Sequence, residues 1–346
     1  MERLVLIDGN AILHRAYHAL PEWRNKEGEA TSGIYGFFSM LLKVGDEFKP
    51  GFLVVAFDHP SPNFRHSIYV GYQHGRVKDR QLEEDIWTQV EKLKDYLGEA
   101  GVAVFQVEGF EADDVIGSIA GQAVAAGSIR GTRGTTSVTE GEPEGAGSRT
   151  VEEVIIVTGD RDLLQLVNQK IRVYMPVRGL SEAVLWDREG VREKLGVWPE
   201  QVVDYKSLVG DTSDNYPGVT GIGPVTAVKL LGKYGTMGAI YDVLAGGNKK
   251  AAAAGGLEEK TVKKLVEGHE AAVVSRQLAE IRRDVPVTLD LAKAEMPGSE
   301  VLAGVLSRMG YPSLVKRIMG GTEPAGVNVR TSRKGGRQTE GQMGLV

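Results

Sequence analysis

With 346 residues, no cysteine and 42% hydrophobic residues, the chain has the composition of a globular protein, and disulfides, thiol catalysis and cysteine-ligated zinc are excluded. The formal net charge of −5 lacks the basic character that is usual in nucleic-acid binders. The N-terminus enters an apolar strand directly and no stretch has the roughly 18 apolar residues of a membrane span, so we expect a cytoplasmic protein without membrane contact. We also expect a monomer.

Short apolar runs alternate with longer helical patterns along the first 200 residues. The predicted strands span residues 4–7, 52–57, 102–107, 154–157 and 171–174. The predicted helices between them span residues 33–48, 82–100 and 113–126. This alternation predicts an α/β fold with a mostly parallel sheet flanked by helices, and the continuous apolar character of the strands indicates burial on both faces.

Three segments depart from this alternation. Residues 126–150 contain fourteen Gly, Ser or Thr residues among 25, which predicts a flexible insertion. Residues 245–256 indicate a second soft loop, and residues 320–346 are expected to form a disordered tail. A boundary near residue 200 separates the α/β domain (residues 1–200) from an all-helical domain (residues 201–319).

Acidic residues follow the predicted strands at the point where each strand ends. They are Asp8, Asp58, Asp160 and Asp162, together with Glu111, Asp113 and Asp114 at the start of a helix. One such aspartate is explained by turn chemistry, but in an open α/β sheet the whole set would converge at one edge. Carboxylates without Cys or His favour Mg²⁺ or Mn²⁺ over zinc. Two such ions about 4 Å apart can activate a water and stabilise the leaving oxygen of a phosphodiester.

The start of the helical half adds a second acidic pair. Asp211 and Asp214 are three residues apart and are either helix-capping residues or further metal ligands. Gly221 and Gly223 follow, and such glycines let the main chain approach a phosphate backbone at the N-terminus of the next helix.

A basic stretch lies at residues 59–82. Its basic residues include Arg65, Arg76, Lys78 and Arg80, and its aromatic residues include Phe64, Tyr69 and Tyr72. The stretch is either a solvated charged face or a surface that binds DNA and stacks on unpaired bases. Beside a predicted acidic site, DNA contact is the better interpretation.

Six motifs in this order resemble the 5′-nuclease domain of bacterial DNA polymerase I, a member of the flap endonuclease family. They lie at residues 7–10, 56–58, 64–66, 111–114, 158–162 and 210–215. Residues 217–223 look like the family's helix–three-turn–helix motif, which grips duplex DNA, and residues 275–286 are similar to the segment that closes the domain. The resemblance covers residues 1–319 and implies a PIN-like nuclease core with a helical arch at about residues 59–100.

The resemblance also implies two divalent metals, Mg²⁺ with Mn²⁺ as a substitute. Asp8, Asp58, Glu111, Asp113 and Asp114 would hold the first or bridge to the second. The second would be surrounded by Asp160, Asp162, Asp211 and Asp214. The implied activity is the hydrolysis of 5′ flaps, nicked 5′ ends and RNA primers, and a potassium ion is often held at the hairpin of residues 217–223.

The implied DNA contacts come from the arch and the hairpin. They are Arg65, Tyr72, Arg76 and Arg80, and Gly221, Gly223, Thr226 and Lys229. Two departures from the family stand out, since Gln73 replaces a lysine that contacts the scissile phosphate and no basic residue directly follows the hairpin glycines. Either His74, Arg76 or Lys78 compensates for Gln73 as a catalytic residue, or turnover is reduced.

The last five residues, Gln342 to Val346, resemble the short peptides that bind bacterial sliding clamps, although Val346 replaces the usual aromatic. An inert tail is the alternative. Three other functions stay open: a PIN-like ribonuclease, a non-catalytic binder of branched DNA that Gln73 makes plausible, and a metal-dependent small-molecule phosphatase. The ribonuclease would lack the helical half, and the phosphatase would not need the hairpin or the basic arch.

Overall fold

The computed structural model describes residues 2–74, 80–128, 150–245, 258–320 and 330–331. Most of the predicted insertion (126–150), soft loop (245–256) and tail (320–346) lies outside these residues, as do Arg76, Lys78 and the clamp-binding peptide at Gln342 to Val346. Within the described residues, every helix is too short or too polar to cross a bilayer.

A seven-stranded sheet forms the centre of the protein, with the strand order β3-β2-β1-β4-β5-β6-β7. The strands are β1 (Arg3–Asp8), β2 (Phe52–Phe57), β3 (Ala103–Gln106), β4 (Glu153–Val157), β5 (Ile171–Arg178), β6 (Glu182–Trp186) and β7 (Arg330–Thr331). The first five are mutually parallel, β6 is antiparallel to β5, and β7 is parallel to β6. The predicted mostly parallel sheet is confirmed, and β6 and β7 are additions at one edge.

The central strands are buried on both faces, as their continuous apolar sequences predict. Leu4 and Leu6 of β1 belong to one hydrophobic cluster, whereas Val5 and Ile7 belong to another. Alternate residues of a strand point to opposite faces, so the two clusters are the two layers that sandwich the sheet.

Helices cover both faces of the sheet. The first half contributes α1 (Gly9–Ala19), α2 (Ser32–Phe48), α3 (Phe64–Ile68), α4 (Arg80–Glu99), α5 (Ala112–Ser128) and α6 (Arg188–Leu195). The second half contributes α7 (Val202–Val209), α8 (Pro224–Tyr234), α9 (Met237–Ala245), α10 (Glu259–Glu267), α11 (His269–Ala279), α12 (Ser299–Arg308) and α13 (Pro312–Gly320). Short 3₁₀ helices span Asp162–Leu166 and Pro199–Gln201.

The second half of the chain packs on both faces of the sheet. Helices α7 to α10 contribute to the same hydrophobic cluster as α5. Leu302 and Leu306 of α12 and Leu314 of α13 join the cluster of α1 and α2 on the opposite face. The rings of Tyr35 and Tyr311 meet edge to face with their centroids 5.3 Å apart. The chain therefore returns to the α/β core after the helical segment, and the division at residue 200 stays a prediction.

Candidate metal centre

The carboxyl edge of the sheet brings Asp8 and Asp58 beside each other. Asp8 ends β1 and pairs in register with Ala56, two residues before Asp58. Asp8 Oδ1 accepts a hydrogen bond from the Ala11 amide (2.9 Å) and caps α1, while its Oδ2 accepts one from Thr158 Oγ1 (2.8 Å). Asp58 Oδ1 accepts from the Ala112 amide (2.8 Å) at the start of α5. Each carboxylate is thus fixed by the beginning of a neighbouring helix.

Five acids at this edge, the edge group, act on one another electrostatically: Asp8, Asp58, Glu111, Asp113 and Asp160. Burial, and then the charge of Asp58, raises the pKa of Asp8 to about 7. Burial, and then Asp160 and Asp8, raises the pKa of Asp113 well above its usual value. Burial raises the pKa of Glu111 to about 7 although Arg65 opposes the rise. Buried carboxylates that repel one another this strongly form a site that a bound cation would stabilise.

A second group of three acids, the bridge group, lies next to the first: Asp162, Asp211 and Asp214. One carboxylate oxygen from each lies within 4.8 Å of the others. Asp162 begins the 3₁₀ helix after β4, and the other two belong to the turn after α7. The charge of Asp214 also acts on Glu111, so the two groups adjoin.

Lys206 on α7 is the residue that sequence reasoning missed. Its Nζ contacts Asp162 and lies 2.6 Å from Asp211 Oδ2. Burial by itself would raise the pKa of Asp211, but the Lys206 charge outweighs it and the pKa is lowered. The ammonium is a cation held between two carboxylates, which is what this donor set is suited to bind. A lysine five residues before Asp211, in the last turn of α7, was the available signal.

Replacing Lys206 with Met should destabilise the metal-free protein, because Asp162 and Asp211 would then repel each other without a counter-ion. A divalent cation should therefore raise the melting temperature of this variant more than that of the wild type. Thermal unfolding in EDTA and in MgCl₂ measures both effects. The exposed Lys194→Met on α6 is the control, and an equal cation-induced rise in wild type and Lys206→Met would contradict the role given to Lys206.

Arg65 and Asp114 form a buried ion pair behind the edge group. Arg65 is 2% exposed and Asp114 is fully buried, and the two nitrogens of the guanidinium donate to the two carboxylate oxygens at 2.7 and 2.9 Å. Arg65 Nε also donates to the carbonyl of Leu278, and Asp114 Oδ1 accepts from the Arg282 amide. The prediction that Arg65 contacts DNA is wrong because the guanidinium is enclosed by protein. Asp114 accepts these hydrogen bonds through both carboxylate oxygens, and its role as a metal ligand stays a prediction.

Tyr72 is also buried rather than available for stacking. It is 4% exposed, and its hydroxyl donates to Glu111 Oε1 at 3.2 Å. Asn63 Nδ2 donates to the same oxygen at 2.6 Å, and Arg65 lies 3.1 Å from the other. The prediction that Tyr72 stacks on a base is therefore wrong, and the phenol orients Glu111 instead.

Gln73 lies where two acidic groups meet. Its backbone amide donates to the Asp214 carbonyl at 2.9 Å, and its side-chain amide is 3.4 Å from Glu111 Oε1 and 3.5 Å from Asp214 Oδ1. Its φ of 54° is in the left-handed region. The amide donates hydrogen bonds here but carries no positive charge. His74 follows in an exposed turn, the side chain of Arg80 lies outside the described parts of the structure, and the roles of both stay predictions.

The predicted hairpin residues lie between α7 and α8. Gly221 has a φ of 79°, which other residues rarely adopt, and Gly223 directly precedes α8. Lys229 is exposed on α8, and Thr226 is half-buried. These residues lie outside the segments that form the sheet edge, and their contact with DNA stays a prediction.

An open cleft of about 870 Å³ gives access to the acidic side chains. It is lined by Asp160, Asp162, Lys206 and Asp211, and by the aromatic residues Tyr69 and Tyr216. The chain has no cysteine, and the donors gathered here are carboxylate oxygens, which suit hard divalent cations. A cleft of this kind can hold a phosphodiester against such cations.

Comparison with known proteins agrees with this geometry. A family model described as 5′-3′ exonuclease, N-terminal resolvase-like domain, matches residues 3–132. A second, described as 5′-3′ exonuclease, C-terminal SAM fold, matches residues 197–301. DNA polymerase I of Bacillus caldotenax is 36% identical over 319 residues, which are 92% of this chain and 32% of that protein. The chain thus spans about a third of the length of the relatives it matches.

Two solved structures have the same fold. The bacteriophage T5 D15 flap endonuclease, in a complex with DNA and metal ions, has a TM-score of 0.61 at 15% identity and covers 92% of this chain and 98% of its own. The catalytic core of Rad2 in complex with DNA substrate has a TM-score of 0.54 at 17% identity, with 92% of each chain covered. The two family models, which between them cover strands β1 to β3 and the helical hairpin, show that this chain belongs to the 5′-3′ exonuclease family.

Proposed function

We propose that this chain is a Mg²⁺-dependent nuclease that hydrolyses phosphodiester bonds at 5′ ends and 5′ flaps of DNA, and at RNA primers. The observation that carries the proposal is that the edge group adjoins the bridge group, with Asp160, Asp162 and Asp211 lining one open cleft. The relatives support the substrate class, since the T5 and Rad2 structures contain DNA.

The residues that would hold the metals form two sets, and Asp160 of the edge group joins the bridge group in the second. Asp8, Asp58, Glu111, Asp113 and Asp114 would hold one ion or bridge to the other, and Asp160, Asp162, Asp211 and Asp214 would surround the second. Asp114 is bound by Arg65 as well. Carboxylate oxygens favour Mg²⁺, for which Mn²⁺ can substitute. When bound, such ions supply an activated water and stabilise the leaving oxygen.

The chain's own side chains orient these carboxylates. Thr158 donates to Asp8, and Tyr72 and Asn63 donate to Glu111, so the ligands are held before any cation arrives. Lys206 balances the charge of Asp162 and Asp211 and must move when a cation takes its place. Gln73 supplies a neutral amide near Glu111, and the loss of a cationic phosphate contact at this position should reduce turnover on the order of 10²-fold.

The remaining parts of the proposal concern the DNA partner. The hairpin of residues 217–223 would hold duplex DNA, with K⁺ as its ion, and the arch would contact the 5′ end. The peptide from Gln342 to Val346 would bind a sliding clamp, and deleting it should lower clamp affinity. An unchanged affinity after deletion would leave the peptide without this role.

Cleavage of matched substrates tests the proposal. The protein would be incubated with a labelled 5′-flap duplex, a single-stranded RNA and a small phosphate ester, each in Mg²⁺ and in EDTA. Flap cleavage that needs Mg²⁺ is expected. Absence of flap cleavage in Mg²⁺ would overturn the proposal. Cleavage of the RNA alone would indicate a ribonuclease, and hydrolysis of the phosphate ester alone would indicate a phosphatase.

The metal-free protein should lose stability as the pH rises. The pKa of Asp8 rises from 3.8 to about 7 on folding, and that of Glu111 from 4.5 to about 7. The folded state therefore binds more protons than the unfolded state. The stability that these protons contribute is fully present below the unfolded pKa and is lost as the pH rises through about 7. In EDTA the melting temperature should fall between pH 5 and pH 8, and Mg²⁺ should remove the fall.

The variant Asp8→Asn is the control for this pH dependence, because an amide imitates the protonated acid at every pH. Its melting temperature in EDTA should change less with pH than that of the wild type. A wild-type melting temperature that rises with pH in EDTA would contradict the raised pKa values.

A further inference from the structure

The helical hairpin has no basic residue directly after its glycines, where Pro224, Val225 and Thr226 stand. In the structure, a lysine from another part of the chain lies at this position. Lys264 on α10 donates from Nζ to the carbonyl of Gly221 at 2.9 Å, across 43 residues of sequence.

The absence of a side chain at Gly221 makes this contact possible. A Cβ on Gly221 would lie 2.9 Å from both Cε and Nζ of Lys264, closer than such atoms approach. The lysine stem therefore lies along the surface of the turn. Any other residue at position 221 would displace it.

The end of α10 is held against the hairpin, so the position of Lys264 does not depend on its own hydrogen bond. Leu265 and Val219 are both buried in the same hydrophobic cluster. Gly268 ends α10 against Val219, and a Cβ there would lie 2.7 Å from Val219 Cγ1. The backbone that carries Lys264 is thus packed onto the turn that carries Gly221.

The charge of Lys264 is available to a ligand. The side chain is exposed, and among the described residues no carboxylate pairs with it. An ammonium has three donors, of which the Gly221 carbonyl takes one. The adjacent Lys263, by contrast, pairs with Glu267 at 3.7 Å on the outer face of α10.

We propose that Lys264 is a DNA-phosphate-binding residue of the hairpin and supplies in space the positive charge that its sequence lacks. The inference rests on the proposed function, since it assigns a residue to the DNA-binding surface. The contact is with the phosphate backbone, so it adds affinity without sequence preference.

The test measures DNA binding by Lys264→Met beside Lys263→Met as a matched control. Both would be made in the cleavage-deficient Asp160→Asn background and titrated with the flap duplex in Mg²⁺ over a range of KCl concentrations. One lost phosphate contact releases one fewer counterion, which lowers affinity by about eightfold at 0.1 M salt and reduces the log–log salt slope by about 0.9. Lys263→Met should bind within twofold of its parent, and Lys264→Arg should retain most of the affinity.

Several outcomes are decisive. An unchanged salt slope in Lys264→Met would overturn the assignment, because a merely structural role lowers affinity without removing a counterion. Equal losses in the two lysine variants would also overturn it. Cleavage of the flap by the wild type, measured separately, shows whether the proposed function itself stands, so failure of the Lys264 assignment is distinguishable from failure of the function.

Discussion

Asp160→Asn is expected to abolish flap cleavage while leaving DNA binding largely intact. Asp160 lies in the edge group, where its charge acts on Asp8 and Asp113, and its Oδ1 accepts a hydrogen bond from the Asp162 amide at 2.8 Å. An amide retains that hydrogen bond but removes the negative charge that a cation requires. Since one preorganised charge contact is worth 10²–10³ in rate, we expect a loss of about 10³-fold or more in single-turnover cleavage.

The exposed Asp290→Asn, which also removes one negative charge, should cleave at the wild-type rate. Binding to the flap duplex and circular dichroism would be measured for both variants. If Asp160→Asn lost binding and cleavage in parallel, Asp160 would have a structural role, and the assignment of the second metal would fail with it.

Breaking the Arg65–Asp114 pair is expected to destabilise the protein by about 3–5 kcal/mol, because either single variant leaves the other charge buried without its partner. Arg65→Met and Asp114→Leu should each show this loss in urea unfolding. The double variant should lose less than the sum of the two, since neither charge then remains to be compensated.

The exposed pair of Arg308 and Glu99 is the matched control. Arg308→Met should cost less than about 1 kcal/mol, because water screens that pair. The same experiment decides between the two roles considered for Arg65. A variant that kept its free energy of unfolding and lost salt-dependent DNA affinity would restore Arg65 to the DNA surface.

The positions of the metal-site acids could be predicted because they depend on local sequence. Asp8 and Asp58 each follow a continuous apolar run, and a parallel sheet aligns the ends of such runs whatever lies elsewhere. The strand β6 was missed although residues 183–186 are all apolar, because so short an apolar run does not distinguish a strand from part of a buried helix. Its antiparallel pairing depends on the turn after β5.

The errors at the basic stretch have a different cause. Arg65 and Tyr72 stand in a sequence that is typical of an exposed basic arch, yet their partners are distant in sequence. Arg65 binds Asp114, 49 residues away, and the Leu278 carbonyl, 213 residues away. When distant partners bury a residue, that burial leaves no periodic pattern in the sequence around it. Lys264 was missed for the same reason, since Gly221 is 43 residues away. Lys206 has Asp211 five residues away, but its other partner, Asp162, is 44 residues away.

The hydrogen bonds around Arg65 and Asp114 have a consequence for the order in which the protein folds during synthesis on the ribosome. The carbonyls of Leu278 and Glu280 accept from Arg65, and the amides of Ile281 and Arg282 donate to Gln165 and Asp114. A nascent chain that has not yet reached these residues leaves a guanidinium and a carboxylate only partly satisfied beneath Glu111. Synthesis must therefore pass position 282 before the hydrogen bonds that hold Arg65 and Asp114 beside the acidic site are complete.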